Sequence, residues 1–308
     1  MKDGNGEPSA ITVVIPTFNR LATLRLCLEH LEAQTLANFD VIIVNDGSTD
    51  GTEVALAAIQ EQSPLRLRVL HQQNAGPARA RNHALAHVTT ELCLLIGDDI
   101  LATPEFLKTH LEFHREHPDS YAVGLGWTPW DRVHQQVTPF MHWYEEIQFD
   151  YGRLTAGRAP TWHHFYTSNL SFKTQLIRAN PFDERFKAAA WEDIELGFRL
   201  ARMGYLQITF LRDAIATHLH PTTVLQAARR MRTLGRAEHQ FHQMWPTARD
   251  PVAQGVREWI YAFLGARPWL LRLLTAVVGP MATRLQPGKL HTLLLRSYRL
   301  CGYLESNQ

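Results

Sequence analysis

The stretch LCLLIGDDI, residues 92–100, is an apolar run that ends in two adjacent carboxylates. Five apolar residues without polar alternation are typical of a strand buried on both faces of a parallel sheet. Asp98 and Asp99 follow directly after Gly97. Buried carboxylates without partners are costly, so the pair must be hydrogen-bonded, solvated or bound to a metal. The stretch alone leaves all three open.

The chain up to residue 120 alternates apolar runs with helical patterns. Each of four apolar runs precedes a helical segment: 11–15 before 21–31, 39–44 before 50–62, 66–70 before 76–88, and 92–96 before 103–116. Strands that alternate with helices in this way are typical of βαβ units. The pattern therefore predicts an α/β fold of the nucleotide-binding type, with a parallel sheet and right-handed crossovers.

Polar, turn-prone segments follow all four predicted strands. In parallel α/β sheets, ligands bind outside the carboxyl ends of the strands, so these segments are expected to line one crevice. They are PTFN (16–19), NDGSTD (45–50), HQQNAG (71–76) and GDD (97–99). The sequence GxGxxG is missing after the first strand, which argues against a dinucleotide-binding dehydrogenase.

Composition and charge exclude several classes of protein. The 308 residues carry 31 Lys and Arg against 30 Asp and Glu, a formal net charge of +1, so nucleic acid is not an expected partner. The three cysteines are widely separated and lack metal-ligand spacing, which fits a reducing cytosol. Residues 1–10 are polar and predict a short disordered tail without a signal peptide. No apolar run reaches the ~18 residues that a membrane-spanning helix needs.

After residue 120 the pattern becomes less regular and rich in Trp, His and Tyr. Helical periodicity returns at 191–205 and is followed by the strand-like LQITFL at 206–211. From about residue 223 the chain consists of helical patterns with basic and apolar residues. We therefore predict an α/β domain over 11–220 and a C-terminal helical region over 221–308.

Two pairs of polar residues in this second half allow both a structural and a chemical interpretation. Glu192 and Asp193 open a predicted helix, whose dipole stabilises acidic residues in its first turn. Paired carboxylates after a loop are also what a general base requires. His218 and His220 lie two residues apart at the end of a strand pattern, so both rings are expected on one side. From the residues alone, each pair could be structural or functional.

Seven segments, in their order and spacing across roughly residues 11–220, resemble the inverting family-2 glycosyltransferases of the GT-A fold. The segments are IPTFNR (15–20), VNDGSTDGT (44–52), NAGPARARN (74–82), GDDI (97–100), SNLSF (168–172), PFDERF (181–186) and WEDIELGFRL (191–200). The resemblance implies a Rossmann-like nucleotide-diphospho-sugar transferase domain. Its donor would be a nucleotide-diphospho-sugar, most commonly of UDP, and its acceptor a glycan or a lipid-linked hydroxyl.

The resemblance assigns nucleotide binding to the strand ends. Asp46 would accept a hydrogen bond from the ring N–H of a uracil or guanine. Arg81 would lie near the diphosphate, with a surface salt bridge as the rival interpretation. The other residues assigned to the nucleotide are Pro16, Thr17, Asn19 and Asp98.

The resemblance also answers the question raised by the two carboxylates. Family members commonly show Asp-x-Asp where this chain has GDD at 97–99, so the first carboxylate and its usual ribose contact are missing. Asp99 stands at the metal-binding position, and Mg²⁺ or Mn²⁺ is typically held by one or two carboxylates plus substrate phosphates. His218 is the preferred second ligand, with His220 as the alternative. The competing interpretation, a cap for the helix predicted at 103–116, is weakened by the Thr-Pro pair that already marks its start.

In family terms, Asp193 is the general base for the acceptor hydroxyl and Glu192 is the neighbour that shapes the site. Trp162, Asn169 and Trp191 are assigned to the acceptor side. The sequence thus predicts a metal-dependent, inverting glycosyltransferase of glycan or polysaccharide biosynthesis.

Two other functions share an α/β nucleotide-binding core but fit the motifs less well. A nucleotidyltransferase usually carries a glycine-rich, basic loop after its first strand, and PTFNR is not such a loop. A non-catalytic sugar-nucleotide binding module would be expected to lose Asp99 or Asp193, and both are present.

The C-terminal region bears on localisation. The segment from Arg257 to Arg284 mixes Trp and Leu with Arg, a composition compatible with an interfacial amphipathic helix. The alternative is a helical appendage that packs on the catalytic domain or on a second subunit. The predicted localisation is cytoplasmic, with peripheral contact at the inner face of the membrane as the further expectation.

Overall fold

The computed structural model describes residues 9–248, 256–281 and 287–306. It divides into two compact units. The first combines Met1–His134 with Phe149–His220, and the second combines Gln135–Gln148 with Pro221–Gln308. Residues 135–148, which the sequence analysis placed in the α/β domain, therefore belong to the second unit.

The predicted N-terminal tail is only partly within the described residues, because 1–8 lie outside them. Ser9 and Ala10, the last two residues of that tail, are tied to the sheet. The Ser9 hydroxyl donates to Asp40 Oδ1 at 2.6 Å, and the Ala10 amide donates to the Asn38 carbonyl at 3.1 Å. Ser9 and Ala10 are therefore held against the sheet, although the sequence placed them in the tail.

The first unit is built on one mixed sheet, whose order is β3-β2-β1-β4-β7-β6-β8-β5. Its strands are β1 Ile11–Thr17, β2 Asp40–Asn45, β3 Arg66–His71, β4 Leu92–Ile96, β5 Ile100–Ala102, β6 Ala122–Trp127, β7 Asn169–Lys173 and β8 Gln207–His218. The four strands predicted from the first half of the chain are parallel to one another, as expected. β7 is antiparallel to β4 and β6, and β5 is antiparallel to β8, so the complete sheet is not purely parallel.

Helices follow the strands in the alternation that the sequence predicted. The α-helices of the described residues are α1 Leu21–Glu32, α2 Thr52–Gln62, α3 Pro77–Leu85, α4 Phe106–Glu116, α5 Pro139–Gln148, α6 Tyr151–Thr155, α7 Thr174–Ala179, α8 Glu192–Arg202, α9 Val224–Met244, α10 Val256–Gly265, α11 Pro268–Met281 and α12 Lys289–Glu305. Those before residue 134 and from 149 to 220 belong to the first unit, and α5 and α9–α12 belong to the second.

The sheet is buried on both faces, because successive side chains of a strand point to opposite sides. Val13 and Ile15 of β1 pack in one apolar cluster with Leu24 of α1. Val14 packs in a second cluster with Leu196 of α8. Uninterrupted apolar strands are what two covered faces require, which explains the pattern seen in the sequence.

The short strand β5 corrects one expectation. The predicted helix at 103–116 begins only at Phe106, because Ile100–Ala102 first pairs antiparallel with the end of β8. Asp98 and Asp99 are thus separated from that helix by a strand and do not cap it. A three-residue strand has no periodic pattern, so only its tertiary pairing reveals it.

In the second unit, α9 and α12 cross closely at two glycines. A Cβ atom on Gly235 would lie 1.8 Å from the carbonyl oxygen of Arg299, and one on Gly302 would lie 1.9 Å from that of Arg232. Ion pairs flank the crossing, among them Arg232 with Glu305. Small residues at the crossing therefore set the distance between the two helices. Among the described residues, no helix has the length and apolar character needed to traverse a lipid bilayer.

A buried network of hydrogen bonds connects α4 to β7. His110 Nδ1 lies 2.8 Å from Ser171 Oγ, and its Nε2 lies 2.9 Å from Asn169 Oδ1. His114 Nε2 lies 2.9 Å from the same Ser171 oxygen. Burial lowers the pKa of His110 to about 3 and that of His114 to about 4, so both rings are neutral at physiological pH.

Because these two histidines are buried in the neutral form, we expect the free energy of unfolding to fall in mild acid. Unfolded histidine titrates near pH 6.5, so between about pH 6.5 and 4 the unfolded chain binds more protons than the folded one, and stability falls as the pH falls. Each buried ring contributes a slope of up to about 1.4 kcal/mol per pH unit. Urea titrations at pH 7, 6 and 5 should give a shallower pH dependence for His114→Gln than for the wild type. An unchanged slope in His114→Gln would contradict this account.

Candidate active site

The carboxyl ends of the parallel strands bring the predicted nucleotide residues together. Thr17 at the end of β1 is the register partner of Asn45 at the end of β2. The Thr17 hydroxyl donates to Asp98 Oδ2 at 2.7 Å, and the Asp46 amide donates to the Thr17 carbonyl at 2.9 Å. Thr17, Asp46 and Asp98 are all buried. The ends of β1, β2 and β4 therefore lie together, as the sequence predicted.

Arg20 compensates the two carboxylates. Its Nη1 contacts Asp99 Oδ2 and lies 3.4 Å from Asp98 Oδ1. Burial and the neighbouring Asp99 raise the pKa of Asp98 to about 7. Burial alone would raise the pKa of Asp99 as well, but His218 and Arg20 hold it well below its usual range. Asp99 is therefore the permanently charged member of the pair.

Asp99 and both histidines form a candidate metal site. One ligand atom from each of Asp99, His218 and His220 lies within 4.8 Å of the others. Asp99 Oδ2 is 3.3 Å from His218 Nε2 and 3.5 Å from His220 Nδ1. Trp130 stacks on the His218 ring at 5.1 Å, and the Leu219 amide donates to the Asp99 carbonyl at 2.8 Å, so the histidine segment is fixed against the carboxylate. One carboxylate oxygen and two imidazole nitrogens fit a divalent transition metal.

The glycine in place of the family's first Asp lies close to the Asp99 carboxylate. A Cβ atom on Gly97 would lie 2.7 Å from Asp99 Oδ1. This is not the oxygen that contacts Arg20, His218 and His220, which is Oδ2. A side chain at position 97 would therefore require Oδ1 to move.

Asp46 and Asn19 connect the loops that follow β1, β2 and β3. Asp46 Oδ1 accepts from Gln72 Nε2 at 2.8 Å and from the Ala75 amide at 2.9 Å, and Oδ2 accepts from the Gly76 amide at 2.9 Å. Asp46 therefore anchors the loop after β3, whatever else it binds. Asn19 has a positive φ of 54°, and its Oδ1 accepts a hydrogen bond at 2.7 Å from the amide of Thr49 in the loop after β2.

Pro16 is half-buried in the same wall, and Phe18 beside it is 45% exposed. Phe18 and Arg20 are not among the site residues predicted from the sequence. Both lie inside the quoted segment IPTFNR, but nothing in a single sequence distinguishes an exposed aromatic or a basic residue at a site from one on any surface.

Arg81 and Glu192 form a buried ion pair. Arg81 Nη1 donates to Glu192 Oε1 at 2.8 Å, and both residues are less than 10% exposed. The rival interpretation of Arg81 as a salt bridge thus describes its observed contact, although the bridge is buried and not on the surface. The pairing leaves Arg81 little surface for a phosphate. Loss of either partner would leave an uncompensated buried charge.

Asp193 lies beside this pair at the start of α8. Its Oδ1 accepts from the Ile194 amide at 2.8 Å, and its Oδ2 lies 3.4 Å from both the amide and the hydroxyl of Thr167. Burial and the negative charge of Glu192 raise the pKa of Asp193 to about 6. Such a carboxylate accepts a proton more readily than an ordinary aspartate, which is what a general base near neutral pH needs.

The three residues assigned to the acceptor side have different surroundings. Trp162 is half-buried, stacked on His163 at 3.5 Å and edge-on to Phe198 of α8 at 4.9 Å. Trp191 is the N-cap of α8, with a positive φ of 67° that is costly for a bulky residue. Asn169 is 0% exposed. Its amide is used by His110 and by the Ala214 carbonyl, so it supports the sheet and offers no surface to an acceptor.

Comparisons with known sequences identify a family and relatives. The sequence model of glycosyl transferase family 2 matches residues 12–178, more than half of the chain. Validoxylamine A glucosyltransferase of Streptomyces hygroscopicus subsp. jinggangensis (strain 5008) is 29% identical over 234 residues, covering 66% of this chain and 54% of its own. The uncharacterized glycosyltransferase YfnE of Bacillus subtilis (strain 168) is 25% identical, with coverages of 68% and 65%. The chain spans about half to two thirds of the length of these curated relatives.

Solved structures resemble the chain over nearly its whole length. Mannosyltransferase PcManGT from Pyrobaculum calidifontis, in complex with GDP-Man and Mn²⁺, has a TM-score of 0.62 at 18% identity and covers 98% of this chain and 88% of its own. S. aureus TarS 1-349 in complex with UDP-GlcNAc has a TM-score of 0.51 at 19% identity, with coverages of 97% and 92%. These likenesses confirm the predicted GT-A fold.

The geometry predicts that Asp99 dominates metal binding. Asp99→Ala removes the charged oxygen shared by both histidines, so calorimetric titration with Mn²⁺ alone should show loss of binding. His218→Ala and His220→Ala should each weaken binding less, with the larger effect at His218 because its ring is the more buried. Binding by Asp99→Ala at wild-type affinity would refute the metal assignment, and an effect of His220→Ala alone would refute the preference for His218.

Proposed function

The chain belongs to glycosyl transferase family 2, and we propose that it moves a sugar from a nucleotide-diphospho-sugar to an acceptor hydroxyl, with a divalent cation and with inversion at the anomeric carbon. The supporting observation is that two carboxylate centres share one edge of the sheet. β4 leads directly to Asp99, and its last residue Ile96 pairs with Asn169, the first residue of β7. Thr167, two residues earlier, contacts Asp193. A donor held at Asp99 and an acceptor held at Asp193 would therefore be neighbours.

The proposed donor site is the crevice at the ends of β1, β2 and β4. The exposed ring of Phe18 offers a face on which a nucleobase could stack. Asp46 Oδ2 accepts one hydrogen bond from the described residues and retains capacity for a second, so a uracil or guanine ring N–H is a fitting partner. Structures similar to this chain have been solved with GDP-Man and with UDP-GlcNAc. Guanine and uracil are therefore the first bases to test, and we prefer uracil, as in a UDP-sugar.

Asp99, His218 and His220 are the residues that would hold the cation. When bound there, a divalent metal would supply charge stabilisation for the departing nucleoside diphosphate. A set with two imidazole nitrogens favours Mn²⁺ over the harder Mg²⁺, which prefers oxygen ligands.

Asp193 carries the proton chemistry. One carboxylate oxygen takes the proton of the acceptor hydroxyl while the acceptor oxygen bonds to the anomeric carbon from the side opposite the diphosphate. The bond from that carbon to the diphosphate oxygen breaks in the same step, so configuration inverts. Glu192 is the first residue of α8 and directly precedes Asp193. Its ion pair with Arg81 therefore fixes the start of this helix and, with it, the position of the base.

The second unit presents an apolar helix face that we assign to peripheral contact with an anionic membrane, where lipid-linked acceptors lie. Trp269, Leu273 and Val277 of α11 are each about 60% exposed and follow one another at helical spacing. Leu271 and Val278, on the opposite face, are buried. An exposed stripe that includes Trp suits a membrane interface.

Charge distinguishes this partner from a second copy of the chain. Residues 221–308 contain twelve Lys and Arg against four Asp and Glu, whereas the rest of the chain has nineteen against twenty-six. The C-terminal region is therefore strongly basic, which favours anionic lipid headgroups and opposes close approach of an identical basic face.

The segment from Arg257 to Arg284, whose composition is compatible with an interfacial amphipathic helix, contains two helices and not one. It comprises α10 and α11, which are separated near residue 266, and only part of its Leu set is exposed. The side chains of Arg257, Trp259 and Arg284 lie outside the described residues.

The central test of the proposed function is Asp193→Asn, which keeps the shape of the side chain but cannot take the proton. A melting-temperature panel of UDP-, GDP- and dTDP-sugars with Mn²⁺ first identifies the donor, since a bound donor stabilises the fold. Transfer to polyprenyl-phosphate and glycan acceptors should then fall by about 10²–10⁴-fold with donor affinity retained. Wild-type transfer should decline below about pH 6, where Asp193 becomes protonated.

The matched control for this test is Asp213→Asn, which makes the same change at an exposed position of β8. It should transfer at the wild-type rate. Near-normal transfer by Asp193→Asn would overturn the base assignment.

Liposome flotation tests the membrane surface. The full chain should float with vesicles containing phosphatidylglycerol but not with neutral phosphatidylcholine vesicles. A triple variant, Trp269→Ser with Leu273→Ser and Val277→Ser, should remain at the bottom, whereas Val54→Ser, at an exposed position of α2, should float. A wild-type protein that stays at the bottom with both vesicle types contradicts the assignment.

A further inference from the structure

Arg20 occupies two of the three ligand positions of the candidate metal site. Its Nη1 contacts Asp99 Oδ2, the oxygen that faces both histidines. Its Nη2 lies 3.2 Å from His220 Nδ1. A guanidinium has no acceptor, so this last contact requires Nδ1 to be the acceptor and uses the single lone pair that a metal would need.

A guanidinium and a divalent cation cannot use these atoms together. The same His220 lone pair cannot serve both, and two positive centres a few ångströms apart in a largely buried site repel each other strongly. Metal binding at Asp99, His218 and His220 therefore requires Arg20 to move.

Arg20 is placed so that it can move. Its side chain is 37% exposed, whereas those of Asp98 and Asp99 are 8% and 11% exposed. It stands at the N-cap of α1, directly after the loop that carries Phe18 and Asn19. In the described residues, its side-chain polar contacts are with Asp98, Asp99 and His220, the site itself.

We propose that Arg20 is an exchangeable counter-ion: it neutralises Asp98 and Asp99 in the metal-free protein, and a divalent cation displaces it. The displaced guanidinium then binds the donor diphosphate, for which its planar set of donors is well suited. The displacement concerns the metal alone, whereas this second step rests on the proposed function.

Calorimetric titration with Mn²⁺ alone tests the displacement. R20Q removes the competing cation, so it should bind Mn²⁺ about threefold to tenfold more tightly than the wild type. R25Q, the same change at an exposed position of α1, should bind like the wild type. In EDTA, R20Q should melt at a lower temperature because Asp98 and Asp99 lose their counter-ion, and Mn²⁺ should raise its melting temperature more than that of the wild type. Equal or weaker Mn²⁺ binding by R20Q overturns the proposal.

If R20Q does not fold, R20K carries the test. Lysine keeps the positive charge but has only one nitrogen, so it cannot contact Asp99 and His220 as the two guanidinium nitrogens do. The Mn²⁺ affinity of R20K should therefore be higher than that of the wild type, but lower than that of a protein with no counter-ion at the site. Wild-type or weaker affinity in a folded R20K overturns the displacement.

UDP titration at saturating Mn²⁺ tests the second step separately. R20Q should bind UDP more weakly than R25Q even though it binds Mn²⁺ more tightly. Equal UDP affinity would overturn the role at the diphosphate. Because neither titration involves sugar transfer, their failure is distinguishable from failure of the proposed function.

Discussion

Two adjacent carboxylates at the end of a buried strand must be compensated by positive charge or by hydrogen bonds, and much of the site follows from this constraint. Thr17 supplies a hydroxyl to Asp98, while Arg20 supplies a cation to both carboxylates. His218 Nε2 and His220 Nδ1 lie 3.3 and 3.5 Å from one oxygen of Asp99. Gly97 has no Cβ atom to crowd Asp99 Oδ1. The two carboxylates therefore connect the ends of three strands, which are β1, β4 and β8.

The mixed part of the sheet connects this point to the second carboxylate centre. β7 runs antiparallel to β4, so its first residues lie at the same edge as the last residues of β4. The buried network of His110, His114 and Ser171 supports β7 from below. Both rings are neutral at physiological pH, so the network holds the strand without adding charge to the core.

The sequence predicted the features that depend on local pattern and failed where distant segments meet. The four parallel strands and the convergence of Thr17, Asp46 and Asp98 follow from periodicity and from the rule that parallel strands end at one edge. The burial of Asn169 does not, because it depends on a histidine some 60 residues away in α4. The pairing of Arg81 with Glu192 likewise joins residues 111 positions apart. The choice between His218 and His220 was also beyond the sequence, since both rings face Asp99 in the folded chain.

The position of a bound divalent cation is the most direct test of the roles assigned to Asp99 and Arg20. Crystals of the full chain with Mn²⁺ and UDP, measured at the manganese absorption edge, would locate the ion in an anomalous difference map. We expect a single strong peak in contact with the Asp99 carboxylate and at least one of His218 and His220, with the Arg20 guanidinium displaced from Asp99. A manganese peak elsewhere, with Arg20 still bound to Asp99, would contradict the account.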